Sequence, residues 1–272
     1  CLSRGLGDVY KRQSPYMANR VVAYLRLFFN YAIEKNLCSH NPCKVKKGDR
    51  FGLQMCTEKA YQGYLSTEEL RKVLNILVVK DERNGRLKVS HYLESRLNPV
   101  ACLMLAFQLH TGRRTRSEVS LLEWSMVQVS NALMVLPQTK TSKHNDIISF
   151  ALSEPAVDIL RIIQKEKLIK ITDKCWFRHR FYFEPGDIRN KYVFPSRDYG
   201  RITGPNAKPG KSPYTIDVRK TWLSVLKMAG VERKLKHYAT RHTHLSWTLA
   251  TTGNIKTVAE VGGVTVKTAS GY

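Results

Sequence analysis

Acidic residues are scarce in this 272-residue chain, where 22 Asp and Glu face 45 Lys and Arg for a formal charge of +23. That imbalance argues for a polyanionic partner, because each phosphate neutralised by a basic side chain releases condensed counterions. Long apolar runs are also missing. No stretch approaches the roughly 20 apolar residues a bilayer-spanning helix needs, and no apolar segment with a small-residue cleavage site marks a secretory signal. Nucleic acid therefore fits better than a membrane surface, and a cytoplasmic location is expected. Paired cysteines are the third absence: Cys1, Cys38, Cys43, Cys56, Cys102 and Cys175 are scattered without CxxC spacing, which points away from a disulfide framework or a zinc module. The set that comes nearest to metal ligands, Cys38, His40, Cys43 and Cys56, reads as ordinary thiols beside a turn, and no metal is expected.

What is present has the length of two domains. Residues 1–13, CLSRGLGDVYKRQ, have no amphipathic period and read as a non-native leader. From Ser14 onward Val21, Val22, Leu25, Phe28, Phe29, Ala32 and Ile33 recur at helical steps, so 14–50 is taken as a partial helical domain. A polar, basic, Gly-punctuated linker at 51–63 follows. Ser66 with Glu69 three residues on forms a capping box that opens the second domain, 64–272. Within it, Lys80 to Arg96 reads as a charged loop, and Pro99 to Gly112 as an apolar helix. Met126–Val129, Ala132–Leu136 and Asp146–Phe150 are short strands of a meander. Ala156–Lys167 is a helix with Val157, Leu160 and Ile163 inward, and Thr215–Gly230 is another. The aromatic run CWFRHRFYF from Cys175 reads as packed surface in preference to a base-stacking platform. The expected class is α+β, mainly α, with a small antiparallel sheet in the second domain.

Residues suited to phosphate chemistry gather at the end of the chain. Tyr238-Ala239-Thr240-Arg241-His242 leads into a helix with Leu245, Leu249, Ala250 and Thr251 on one face and Gly253 at its C-cap. Ile255–Val261 is a second helix, broken by Gly262-Gly263, and Tyr272 stands nine residues beyond Gly263. An arginine opening a helix, a Gly turn and a tyrosine in this order resemble the C-terminal signature of the tyrosine recombinases, the phage integrase family. Upstream, Thr111-Gly112 followed by arginines, then Glu118, Leu121, Leu122, Trp124 and Ser125, resembles the family's first arginine segment. Here the segment carries one residue more than the family spacing. Counting from Thr111-Gly112 selects Arg114, whereas counting back three from Glu118 lands on Thr115; Arg114 is taken, with Arg116 next and Arg113 last. Gln138 to Lys143 resembles the hairpin that carries the family's lysine, with Lys140 at its place and a solvated hairpin tip as the other reading. YVFPS at Tyr192–Ser196 and the helix ending at Asn41-Pro42 match further family phrases, the latter from the end of the core-binding domain.

The resemblance implies a DNA breaking-rejoining fold and site-specific recombination of double-stranded DNA through a 3′-phosphotyrosine. Arg114 and Arg241 clamp the scissile phosphate, Lys140 protonates the leaving oxygen, Tyr238 supports the phosphate and Tyr272 attacks, while Arg116, Lys143 and His242 contact DNA. These residue types suit that chemistry, since guanidinium forks donate paired hydrogen bonds to developing charge, and neighbouring cations favour deprotonation of a phenol of pKa about 10. No metal or cofactor is implied, because the phosphotyrosine retains the bond energy. A tetramer on DNA is implied for a full-length member; this chain stops at Tyr272, before the segment that members pass to a neighbour, so it is expected to assemble poorly. Tyr238 stands where the family has histidine, and Val264 where it has a histidine or tryptophan donor, with Thr265 as the available substitute. Gly271 weakens the last helix by roughly 1 kcal/mol relative to Ala. A type IB topoisomerase-like relaxase and a decayed integrase that only binds DNA are the alternative readings.

Overall fold

The computed structural model describes residues 15–44, 56–57, 63–80, 87–89, 97–137, 148–168, 183–196, 198–201 and 208–271, and the chain divides into two units, Cys1–Tyr61 and Gln62–Tyr272. The first unit is built on α1, Pro15–Glu34, which buries Ala18, Asn19, Val22 and Ala32. Asn19 bonds the Cys56 backbone twice, donating from Nδ2 to the carbonyl at 2.8 Å and accepting from the amide at 2.7 Å. Asn41 donates to Arg26 O, and Arg26 Nε donates to Cys43 O. The expected apolar stripe is only partly covered: Leu25 and Phe28 remain 40% and 62% exposed. The hydrogen bonds of α1 run mostly to turn backbone at Cys43 and Cys56 and to the Asn41 side chain. The thiols of Cys38, Cys43 and Cys56 are free, and no cluster of ligand-type side chains forms among the described residues.

The second unit opens on α2, Thr67–Leu77, through the capping box its sequence spells out: Glu69 N donates to Ser66 Oγ and Ser66 N to Glu69 Oε2. Two orphan donors are thereby satisfied reciprocally. The chain continues into β1, Val78–Lys80, which pairs antiparallel with β2, Leu87–Val89. The stretch expected to be a loop thus contributes to a two-stranded ribbon, whose three-residue strands are too short for a period-two pattern to register.

α3, Pro99–Thr111, is capped by Asn98 and closed by Gly112 at φ 65°. Every residue of α3 except His110 is buried. A helix apolar all round can be satisfied only at the centre of a domain, and α3 packs against α2, α4 (Glu154–Leu168), α5 (Arg219–Met228) and α6 (Ala239–Thr252). Phe107 meets Phe194 at 5.6 Å between ring centroids, and buried Trp222 donates its indole N–H to Leu235 O. Each such aromatic contributes roughly 1.5–3 kcal/mol by leaving water. Val157, Leu160 and Ile163 of α4 face this core.

A three-stranded antiparallel sheet lies in the order β3 (Val127–Gln128), β4 (Leu133–Leu136), β5 (Ile148–Ala151), with Met134 opposite both Val127 and Phe150. Val193 and Phe194 of the YVFPS phrase are buried, and Phe194 O accepts from Thr215 N. That bond, with Thr215 Oγ1 donating to Pro195 O, ties Thr215 to the YVFPS segment, and α5 starts at Arg219 and not at Thr215. The CWFRHRFYF run lies outside the described residues except for Phe183, which stacks beneath the Arg189 guanidinium. After α6 come α7, Ile255–Gly262, and the single turn α8, Val266–Ala269. No helix of the described residues is long and apolar enough to cross a membrane.

Two histidines sit where α3 meets α6. His244 Nδ1 lies 2.9 Å from Leu109 O, and burial, then the neighbouring His244, pushes His110 down to about 4 from its ordinary 6.5. The folded protein therefore holds His110 neutral while the unfolded chain protonates near 6.5. Stability from this site is complete above pH 6.5 and is lost as pH falls toward 4. Between pH 7 and 5 the loss is about 2 kcal/mol. Thermal unfolding should show a melting midpoint several degrees lower at pH 5 than at pH 7, and His110→Gln should flatten that dependence; equal slopes in the two proteins would contradict it.

Candidate functional site

Arg241 enters the core from the first turn of α6, where Thr240 Oγ1 donates to His237 O and Arg241 N donates to Tyr238 O. Its side chain is 1% exposed. Nη1 donates to Gly112 O at 2.7 Å and Nη2 donates to Gly262 O, so one guanidinium ties the turn after α3 to the turn after α7. Both turns bend through left-handed glycine, Gly112 at φ 65° and Gly263 at φ 56°. At Gly112 space forbids a side chain as well, since a Cβ there falls 2.6 Å from His244 Cδ2.

Arg113, next in the chain, is 2% exposed. Its Nε donates to Thr111 O at 3.2 Å and lies 3.9 Å from Glu118 Oε2. Its guanidinium carbon stands 3.9 Å from the Phe150 ring centroid, and Nη1 is 4.0 Å from the Cβ position at Gly263. Burial pushes Arg113 down to about 10, Glu118 opposes this, and Arg241 and Arg114 push further down. The group stays charged at neutral pH. Arg113 Nη1 and Arg241 Nε are buried donors without a hydrogen-bond partner among the described residues. Leaving such donors unmatched is costly, and two of them on buried cations have the chemistry to receive an oxyanion. A cavity of about 980 Å³, lined in part by His110, Arg113, Phe150, His244, Gly263 and Val264, opens beside Arg113, with Arg241 behind its lining.

Arg114, the arginine selected by counting, turns elsewhere. Its Nη1 donates to Glu118 Oε1 at 2.7 Å and its amide to Glu118 Oε2 at 2.8 Å, leaving the side chain 25% exposed. The cause is a wide π-type turn over Thr115–Val119, in which Val119 N donates to Arg114 O and Ser120 N to Thr115 O. Such a turn holds one residue more than an α-turn, and this absorbs the extra residue between Gly112 and Glu118. The structure thus brings Arg113, and not Arg114, to Arg241 and Gly263. Counting by α-helical spacing could not reveal this.

Arg116 lies toward His237, whose pKa is lowered by burial, raised by Asp217, and lowered again by Arg116 and Arg219. Tyr238 is 37% exposed and sets its ring edge to face with His242, 5.0 Å between centroids. Burial and then the charge of Arg241 lower His242. Lys140, Lys143 and Tyr272 lie outside the described residues. Thr265, the substitute donor beside Val264, has its hydroxyl engaged as the cap of α8, accepting from Thr268 N and pairing with Thr268 Oγ1. One residue at the heart of this arrangement, His244, was not singled out by sequence; the available signal was its place three residues beyond Arg241, on the same helix face.

The phage integrase family model matches residues 87–268, a range that holds Arg113, Arg241 and the Gly262-Gly263 turn. No curated protein matches the chain. Among solved structures it is similar to the XerH site-specific recombinase bound to its difH substrate, with TM-score 0.61 and 17% identity over 100% of this chain and 65% of that one. The Tn1549 transposon integrase in complex with circular intermediate DNA gives 0.60 and 15% over 100% and 78%. A lambda integrase dimer bound to a COC' core site gives 0.59 and 14% over 98% and 75%. At these identities the likeness is one of fold, mainly helical with a small antiparallel sheet. The family match, by contrast, spans more than half of the chain and takes in both arginine-bearing elements, so the chain belongs to the phage integrase family.

Proposed function

We propose that the chain is a site-specific DNA recombinase that breaks and rejoins a strand through a 3′-phosphotyrosine. The observation that carries the proposal is the pair of buried guanidiniums, Arg113 and Arg241, each with an unmatched donor, at a turn nine residues before Tyr272. In this reading the Tyr272 phenol gives its proton to solvent, its oxygen attacks phosphorus, the bond from phosphorus to the 5′-oxygen breaks, and Lys140 supplies the proton that the leaving oxygen takes up. Rejoining runs the same steps backwards with an incoming 5′-hydroxyl, so no outside energy is required. Arg241 is fixed by its two carbonyl bonds and offers Nε to one non-bridging oxygen, while Arg113 offers Nη1 to the other. Donors fixed in advance cost no reorganisation when charge develops, and the loss of one typically slows reaction by about 10²–10³.

Arg114 then acts through Glu118, holding the turn that presents Arg113. Tyr238 donates to the phosphate from the rim, and Arg116, Lys143 and His242 contact the DNA backbone. With Val264 offering no donor and Thr265 engaged in capping, transition-state charge in this chain rests on the two arginines, Tyr238 and Lys140. The N-terminal unit is read as the end of a core-binding domain joined by the 51–63 linker to the catalytic domain. The working form of the full-length protein is read as a tetramer on double-stranded DNA in the cytoplasm. A second reading, a protein that binds DNA without cutting it, is favoured by Val264 and by the engagement of Thr265.

A nicked suicide duplex separates the two: wild type should accumulate a covalent protein–DNA adduct and Tyr272→Phe none, whereas salt-sensitive binding with no wild-type adduct supports the binder. On the same substrate Arg113→Ala should slow adduct formation by about 10²–10³, and Arg114→Ala by roughly tenfold or less, as befits a residue acting through a carboxylate. The reverse order of effects would return the phosphate contact to Arg114.

A further inference from the structure

The last turn of α3 leaves backbone carbonyls without intrahelical partners, and two side chains of α6 supply donors there. Arg241 Nη1 takes Gly112 O at 2.7 Å and, three residues on, His244 Nδ1 takes Leu109 O at 2.9 Å. A carbonyl can only accept, so Nδ1 carries the hydrogen. The imidazole also lies against the Gly112 turn, near enough that any Cβ at Gly112 would meet its Cδ2. Arg113 follows this turn directly in the chain. Its own restraints are the 3.2 Å bond to Thr111 O, Glu118 at 3.9 Å and the Phe150 ring. Where its guanidinium points therefore follows from how the Thr111–Gly112 backbone is held.

Resting on the reading above, we propose that His244 is a positioning residue: its Nδ1 hydrogen bond and ring hold the Gly112 turn against α6, so that Arg113 and Arg241 converge on one phosphate. Burial disfavours the cationic ring, the bond to Leu109 O opposes this, and Arg113 and Arg241 disfavour the cation further, so the contact is suited to a neutral hydrogen bond. A phenylalanine could fill the same volume; what histidine adds is the donor.

Three substitutions in the full chain separate packing from positioning. His244→Ala removes ring and donor, His244→Phe keeps a ring without the donor, and His244→Asn keeps a donor near the Nδ1 position. Adduct formation on the nicked duplex should fall by roughly 10- to 100-fold in the Ala and Phe variants, the scale expected when reacting groups shift by about an ångström. Duplex affinity should stay within about twofold of wild type, because rim and surface cations supply most of it, and Asn should restore most of the rate. Amide exchange of residues 109–119, measured without DNA, should quicken in Ala and Phe and return toward wild type in Asn. A Phe variant that cuts at the wild-type rate, an Asn variant no better than Ala, or unchanged exchange across 109–119 would each overturn the proposal. Absence of adduct in wild type would instead overturn the recombinase reading, and the exchange measurement would still decide whether His244 holds the turn.

Discussion

The bridge that Arg241 makes between Gly112 O and Gly262 O is the interaction on which the rest of the site depends. Its partners lie 129 and 21 residues away in sequence, so a single side chain sets the distance between the end of α3 and the end of α7. The first turn delivers Arg113; the second starts the last nine residues before Tyr272. A guanidinium is suited to this because its planar fork can satisfy two carbonyls and still present another donor in a fixed direction. Lysine at this place would make neither bond with the same geometry.

The arrangement is electrostatically unbalanced. Two guanidiniums are almost wholly buried within reach of one another's charge, and the carboxylate that answers Arg113, Glu118, is shared with Arg114. Buried cations that exceed their counter-charge are tolerated where an anion completes the set. Catalysis by preorganised charge needs that same condition, since donors already desolvated act on a developing oxyanion at full strength. The core supports the cost. α3 is buried along its length and anchored by Phe107 against Phe194, which leaves its C-terminal turn little freedom to relax away from Arg241.

The wide turn at Thr115–Val119 shows how one additional residue is accommodated without moving the carboxylate. Glu118 still reaches back to the arginine turn, but through the Arg114 amide and Nη1, and Arg113 is left to face inward. The extra residue thus changes which arginine side chain turns inward toward Arg241. π-type turns recur at functional sites for this reason: they shift register locally while the flanking elements stay in place.

Much of the architecture was legible in local pattern. Ser66 with Glu69, Thr111 before Gly112, and Gly253 and Gly263 marked helix ends because capping is a matter of neighbours in sequence, and the short strands from Val127 to Ala151 declared themselves by β-type composition between turn residues. The order of Arg241, the Gly262-Gly263 turn and Tyr272, together with the excess of basic residues, pointed to phosphate chemistry without any knowledge of tertiary contacts. Tertiary structure alone decided which arginine joins Arg241, that Thr265 is engaged as a cap, and that His244 braces the arginine turn. Each of those depends on a hydrogen bond or on a departure from α-helical rise, and neither leaves a trace in residue spacing: the first joins distant segments, and the second changes how many residues one turn contains.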